Sequence, residues 1–354
     1  MTLTQLIGIQ LPIIQAPMAG VQGSALAVAV SNAGGLGSLP CAMLSIEAMK
    51  CELGAIQAQT NKPFNVNFFC HTNPAPDEEC EAKWRVKLSL YYKEFGIDAD
   101  SIPAGPGRAP FNAATAQALS EFKPAVVSFH FGLPAPDLLL HLRSWGAKII
   151  STATTLEEAL WLESRGVDAI IAQGLEAGGH RGIFLTEDLS TQVGTFALLP
   201  QIVRHVKIPV IAAGAIADAQ GVAAAMALGA AGVQIGTAYL LCPEASTSQV
   251  HRAALNSKLA CHTALTNLFT GRPARSIVNR FITENGPING MVPAFPLATS
   301  AVAPLRSHAE KLGSGDFSPL WAGQNVSGCK EVPAAELTRD LSKGCNKSVD
   351  NLNG

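Results

Sequence analysis

Charge is what this sequence has least of. Asp, Glu, Lys and Arg make up 15% of its 354 residues against 48% hydrophobic, so most of the chain must line a core rather than a solvated surface. The 25 basic and 27 acidic residues nearly cancel, and no Lys/Arg cluster interleaves with aromatics, which excludes nucleic acid as an expected partner. The eight cysteines (Cys41, Cys51, Cys70, Cys80, Cys242, Cys261, Cys329 and Cys345) are scattered and none stands in a C-x-x-C pair, which removes a thiolate zinc site. With no secretory signal, the expectation is reduced thiols in a cytoplasmic protein. Also missing are histidines at metal-ligand spacing, a G-x-S-x-G elbow and a G-x-x-x-x-G-K-[ST] loop, so no metal is expected and serine-nucleophile and P-loop chemistry are set aside. Gly34-Gly35-Leu36-Gly37 precedes a strand instead of following one, so it is no dinucleotide fingerprint. The uncharged run between Asp218 and Glu244 is long enough to imitate a membrane span, for which roughly 20 apolar residues suffice. It divides at Gly229 and carries Gln220 and Gln234, which suits a helix followed by a buried strand, and no membrane partner is expected.

What the sequence does have is rhythm. Short apolar runs of strand length recur between helical stretches: Ile13–Gln15, Leu36–Ser38, Phe64–Phe68, Ala125–Phe129, Lys148–Ser151, Ala169–Ala172, Pro209–Ala212 and Gly232–Ile235. Parallel strands buried on both faces give such unbroken runs. Gly146, Gly166 and Gly229 each fall just before a run, where a left-handed residue ends a helix cheaply. Ser24 is placed to cap a helix ending at Gly34-Gly35, and Ile46 to Gln57 is helical in pattern. Eight strands alternating with helices predict an α/β fold, a (β/α)8 TIM barrel with a smaller, mostly helical appended subdomain.

Residues 1–242 are assigned to the barrel, 243–305 to the helical subdomain with a helix over Ser246 to Leu268, and 306–354 to a segment returning to the barrel. Its tail is expected to fray from about Ser342. Residues 74–111 interrupt the rhythm with much of the chain's charge, a helical piece near Glu81 to Phe95 and a Pro/Gly-rich return from Ile102 to Pro110, and are expected to be a surface excursion.

Such barrels bind ligands at the C-terminal ends of their strands and often hold a phosphate after the last two. The seventh run ends in Ala212-Ala213-Gly214, with Asp218 placed to cap the next helix. The eighth ends in Gln234-Ile235-Gly236-Thr237, where N–H groups and the Thr237 hydroxyl can donate to an anion. Each turn alone could be only a tight turn; their joint position favours a phosphate. After the sixth run, Gly178, Gly179 and Gly182 surround His180, the side chain suited to exchanging protons near neutral pH. Arg181 beside it serves either an ion pair or the substrate. His130 ends the fourth run as a pocket residue or a satisfied structural histidine, and the Asn67 amide can read a heterocycle edge. His71, His141, His205, His251, His262 and His308 are expected to be structural or exposed.

Ile14-Gln15-Ala16-Pro17-Met18-Ala19-Gly20, the loop Gly178-Gly179-His180-Arg181-Gly182, Pro209-Val210-Ile211-Ala212-Ala213-Gly214, Thr270-Gly271-Arg272-Pro273-Ala274-Arg275 and Leu320-Trp321-Ala322-Gly323-Gln324 together resemble the nitronate monooxygenases, formerly 2-nitropropane dioxygenases, in their class I branch. Each glycine motif is shared with other FMN barrels; the ordered set, from about Ile13 to Gln324, is specific. The resemblance implies non-covalent FMN, with Ala16, Pro17, Met18 and Asn67 against the isoalloxazine, and Gln173, Gly178 and Gly179 facing it. It gives the phosphate to Gly214, Gln234, Ile235, Gly236 and Thr237. The implied reaction oxidises alkyl nitronates of the propionate 3-nitronate type with O2 to a semialdehyde, nitrite and nitrate. His180 would be base or substrate holder, with His130 as a second candidate catalytic residue and Arg272 and Lys311 attracting the anion. A homo-oligomer is compatible with this. The rival expectations are an NAD(P)H-dependent flavin reductase acting on quinones or enoyl thioesters, and a non-catalytic barrel for a phosphate ligand. A flavin-free aldolase or isomerase would want a buried lysine or carboxylate at a strand end, where this chain has Asn67, His130 and Gln173.

Overall fold

The computed structural model describes residues 2–75, 77–102 and 108–345. Eight parallel strands form the barrel: β1 (Ile13–Gln15), β2 (Gly37–Pro40), β3 (Phe64–Phe69), β4 (Val126–His130), β5 (Lys148–Ala153), β6 (Ala169–Gln173), β8 (Val210–Ala213) and β9 (Gly232–Ile235). The intervening β7 (Gly179–His180) belongs to a second sheet. The order is β1-β9-β8-β6-β5-β4-β3-β2, and a parallel bridge from Ile14 to Leu36 closes the ring. All eight expected runs are strands of this barrel. The uncharged Asp218–Glu244 segment is a helix, Ala219–Ala227, followed by β9, with Asp218 Oδ1 accepting from Gly221 N at 2.8 Å as the cap. Among the described residues no helix is long and apolar enough to cross a membrane.

Burial explains why the site lies at one end of the barrel. Leu3, Ile7 and Ile9, on and just after the helix Leu3–Ile7, pack with Ile14, Val126, Ile150, Ile171 and Ile211, which plugs one end with hydrocarbon. A larger apolar layer joins strands to surrounding helices. Toward the C-terminal strand ends the interior turns polar: the Asn65 amide donates to Ser38 Oγ (3.0 Å) and Ser128 Oγ (2.9 Å), and Asn67 also reaches Ser128 Oγ at 2.9 Å. Pairing satisfies most of these buried groups where water is excluded.

Two local expectations are corrected. The helix Ser24–Asn32 is capped by Gly23, and Ser24 is its first residue, its N–H held by Glu52 Oε2 at 2.6 Å. A carboxylate from a neighbouring helix replaces the local cap, which no local pattern could show. The stretch from Ser246 to Leu268 is a short helix, Gln249–Leu255, a 3-10 turn and then β10 (Thr263–Thr266), which pairs antiparallel with β11 (Ala274–Ile277). Pairing with β11, which lies just beyond that stretch, overrides the helical pattern. The charged excursion carries the expected helix, Glu78–Phe95, on which Trp84, Leu88 and Tyr92 are buried against Phe281, Leu305 and Phe317. Part of the Pro/Gly-rich return, residues 103–107, and the tail from 346 lie outside the described residues; Ser342 itself ends the helix Ala334–Ser342.

Candidate active site

One cavity opens at the C-terminal strand ends, and the fourteen residues singled out from the sequence all line it: Ala16, Pro17, Met18, Asn67, His130, Gln173, Gly178, Gly179, His180, Gly214, Gln234, Ile235, Gly236 and Thr237. The turn after β1 is held from beneath. Gln15 Nε2 donates to Gln22 Oε1 (2.6 Å), the same oxygen accepts from Met18 N (3.1 Å), and Gln15 Oε1 accepts from Ser38 N (3.0 Å). Gln22 has no motif of its own in the sequence, yet it fixes the Ala16–Met18 backbone that faces the cavity.

At Gly214 φ is +120°, and a Cβ would lie 2.7 Å from Thr195 Oγ1, so only glycine fits without displacement. Thr195 is itself anchored: its N–H and hydroxyl both donate to Glu176, at 2.8 and 2.9 Å to Oε2. Ala215 follows with a positive φ of 57°. Thr237 Oγ1 accepts from Gly323 N at 2.9 Å, which leaves its hydroxyl proton free to donate elsewhere. The N–H groups of Gly214, Ala215, Gly236 and Thr237 have no acceptor among the described residues. Gln234 Oε1 is buried without a partner on the same wall.

The opposite wall carries His180. β7 pairs with β11 (His180 opposite Ala274), and Gly178 lies against the returning C-terminal segment so closely that a Cβ would be 2.5 Å from Gly323 N. The His180 carbonyl accepts from Gln173 Nε2 (3.0 Å) and His130 Nε2 (3.1 Å), while Gln173 Oε1 accepts from Gly182 N (2.8 Å). Both ends of Gln173 therefore hold the loop. His130 uses its other nitrogen on Thr152 Oγ1 at 3.1 Å, so both of its ring nitrogens are engaged by protein. The His180 imidazole lies among Phe69, Phe131, Phe295 and Trp321, ring centroids 5.5 to 6.1 Å away, and its Nε2 meets Thr270 Oγ1 at 2.9 Å. Burial among these rings, helped by Arg108, His130, Arg272 and His71, pushes its pKa well below the ordinary 6.5, so the ring is neutral near pH 7.

Arg181 is fully buried and does not line the cavity: it donates to Gln192 Oε1 (3.1 Å), Gly174 O (2.7 Å) and Gln173 O (2.7 Å), satisfying the carbonyls where β6 ends. Arg272 stacks 4.0 Å from the Phe131 ring centre and donates to Ile183 O, while Lys311 is exposed and outside the cavity wall. Sequence reasoning missed Arg108. This largely buried guanidinium has no carboxylate within ion-pair distance among the described residues and faces the Phe295 ring at 5.6 Å. His71 and His251, expected to be structural or exposed, are both buried: His71 packs edge-on to Phe295 and meets Arg108 O at 2.8 Å, and His251 lines the cavity. No short-range pattern marks any of them, because the packing that recruits them is long-range.

Burial of these histidines has a consequence for stability. It lowers His130 to about 3 and His251 to about 4, besides His180. Below pH 6.5 the unfolded chain takes up protons that the folded chain refuses. The stabilisation is thus complete above about pH 6.5 and is lost as the pH falls through 5 toward 4 and 3. Thermal melts at pH 7, 5.5 and 4.5 are expected to show a progressive fall in Tm of several degrees; a Tm constant over that range would contradict the buried, neutral rings.

The closed barrel and its cavity define a (β/α)8-barrel protein with a candidate ligand site at the C-terminal strand ends. The family profile described as nitronate monooxygenase matches residues 1–344. The nitronate monooxygenase of Pseudomonas aeruginosa is 42% identical, covering 96% of this chain and 97% of its own, and that of Paraburkholderia phytofirmans is 40% identical, covering 99% and 96%. The crystal structure of nitroalkane oxidase from Streptomyces ansochromogenes superposes with a TM-score of 0.89 at 38% identity, covering 99% of both chains. The chain belongs to the nitronate monooxygenase family and is an oxidoreductase acting on small nitronates.

Proposed function

We propose that this enzyme oxidises alkyl nitronates, propionate 3-nitronate among them, with O2 on a non-covalently bound FMN, giving a semialdehyde with nitrite and nitrate. The observation that carries the reading is a neutral, half-buried His180 and a half-buried, carboxylate-free Arg108 facing one cavity whose far rim is the anion-ready turns at Gly214 and Gly236. The residues fit the cofactor. Four unengaged N–H groups and the Thr237 hydroxyl match a phosphate, and the unpartnered Gln234 Oε1 matches a polyol hydroxyl. Asn67, whose N–H group is engaged by Ser128, has its Oδ1 left for a ring N–H, beside the Ala16–Met18 backbone. When bound, FMN supplies the electron acceptor and the reactivity toward O2.

The chain's own part is binding, desolvation and proton handling. Thr270 Oγ1 lies 3.4 Å from Arg272 O, to which it donates, so its oxygen accepts Nε2–H from His180 and the Nδ1 lone pair of that ring is left bare. A neutral imidazole cannot hold an anion by charge; Arg108 and Arg272 supply the charge and His180 is the base for the α-proton of a neutral nitroalkane. His130, with both nitrogens engaged, positions the His180 loop instead of touching substrate. Flavin content tests the cofactor reading: purified protein is expected to show the visible bands of an oxidised flavin and to release FMN on denaturation. Colourless protein that takes up no FMN would overturn it.

A further inference from the structure

A second cavity adjoins the first, and the two share Ala42, Met43, Phe69 and Arg108. Its wall beyond that junction is mostly apolar, with Ile46, Met49, Phe68 and Phe111 on one side, Leu297 and Pro304 on the other, and only uncharged Ser, Thr and Asn side chains between them, around a volume of about 970 Å³. Among its described wall residues Arg108 is the one charged side chain. The helix Thr299–Lys311 turns Thr299, Ser300, Ala303, Pro304 and Ser307 to it, positions spaced along one helical face with short side chains that leave the groove open. A cation at the inner end of an otherwise uncharged groove fixes which way a ligand lies. The anionic head belongs at Arg108, beside His180, and a chain that runs on into the groove must be hydrocarbon there, because a charge in the groove would meet no counter-charge.

We infer that this groove binds the aliphatic tail of longer substrates, so that the enzyme, besides propionate 3-nitronate, takes medium-chain alkyl nitronates and binds them more tightly than short unsubstituted ones. The inference deepens the nitronate reading above and rests on it only for the identity of the head group. Met43, half exposed at the junction, is unbranched and flexible enough to let chains of different length pass. Each methylene that leaves water for such a wall strengthens binding by about fourfold at full burial.

Calorimetric titration of the holoenzyme with straight-chain carboxylates, from butanoate to decanoate, tests this without turnover. These are planar monoanions that mimic the nitronate head and are not oxidised. The dissociation constant is expected to fall roughly three- to fourfold per added methylene until the groove is full. The Ala303→Phe variant, at an exposed position on the groove wall, is expected to abolish that gain and leave butanoate binding unchanged. A dissociation constant independent of chain length, no saturable binding of octanoate, an A303F protein that still gains along the series, or one that loses butanoate as much as decanoate would each overturn the assignment. A clear chain-length series in a protein that turns over no nitronate would keep the groove and sink the oxidation reading; nitronate turnover with a flat series would do the reverse.

Discussion

Replacing His180 by Asn is expected to leave the protein folded and yellow but to slow turnover of neutral nitroalkanes by roughly 10²–10⁴-fold, about 3–5 kcal/mol in the barrier. The fold should survive because the loop is held through the His180 backbone carbonyl, which Gln173 and His130 still reach, and Asn can keep a hydrogen bond to Thr270. Flavin should stay because its proposed anchors lie across the cavity, at Gly214 and Gly236. A preformed nitronate has no α-proton to lose, so its oxidation should suffer far less. Steady-state rates on a nitroalkane and on its nitronate separate the two: unchanged turnover on both, or equal loss on both with full flavin, would contradict His180 as base. The pH profile carries the same signature. Since the folded-state pKa lies well below 6.5, wild-type kcat/KM on a nitroalkane should not fall as the pH drops through 6.5.

The second large effect falls on cofactor retention. Gly214→Val places a branched side chain at φ +120°, 2.7 Å from Thr195 Oγ1 and 3.3 Å from Ala177 N. Relief requires moving the corner that Glu176, Thr195 and Gly214 build together. Strain of about 1–3 kcal/mol, set on the residue whose N–H faces the ligand, should weaken FMN by roughly 10–100-fold while cooperative melting persists. Titrating the stripped protein with FMN measures it directly; full flavin occupancy in the variant would show that this turn does not hold the phosphate.

The fold was legible because a barrel strand is short, buried on both faces and followed by a turn, all of which are local. Ile149-Ile150, Ile170-Ile171 and Val210-Ile211 announce themselves, and Gly229 marks the joint within an otherwise misleading apolar run. The cavity's glycine turns and the His180 loop were legible for the same reason: barrel topology sends consecutive strand ends to one face. Arg108 and Phe295 were not, since each reaches the site by packing between segments far apart in sequence, and Gln22, though near Met18 in the chain, stands in no motif that marks its amide as a support. Gln173 and His130 show a subtler limit. Both stand where expected, yet their polar atoms face the loop they support, and a residue's place at a strand end does not say which of its atoms are already bound. The helical pattern over Ser246 to Leu268 failed where β11 supplied a partner strand that the local pattern could not contain.

In the proposed reaction electrons come from the nitronate and leave to O2, on a barrel that a nicotinamide-driven reductase could equally use. Rapid mixing of the yellow enzyme under anaerobic conditions with propionate 3-nitronate, and separately with NADH or NADPH, separates the two. Flavin absorbance is expected to change within the turnover time with the nitronate, with oxygen uptake on admitting air, and neither nicotinamide is expected to bleach it. Fast bleaching by NADH or NADPH in a protein that leaves the nitronate untouched would contradict that reaction.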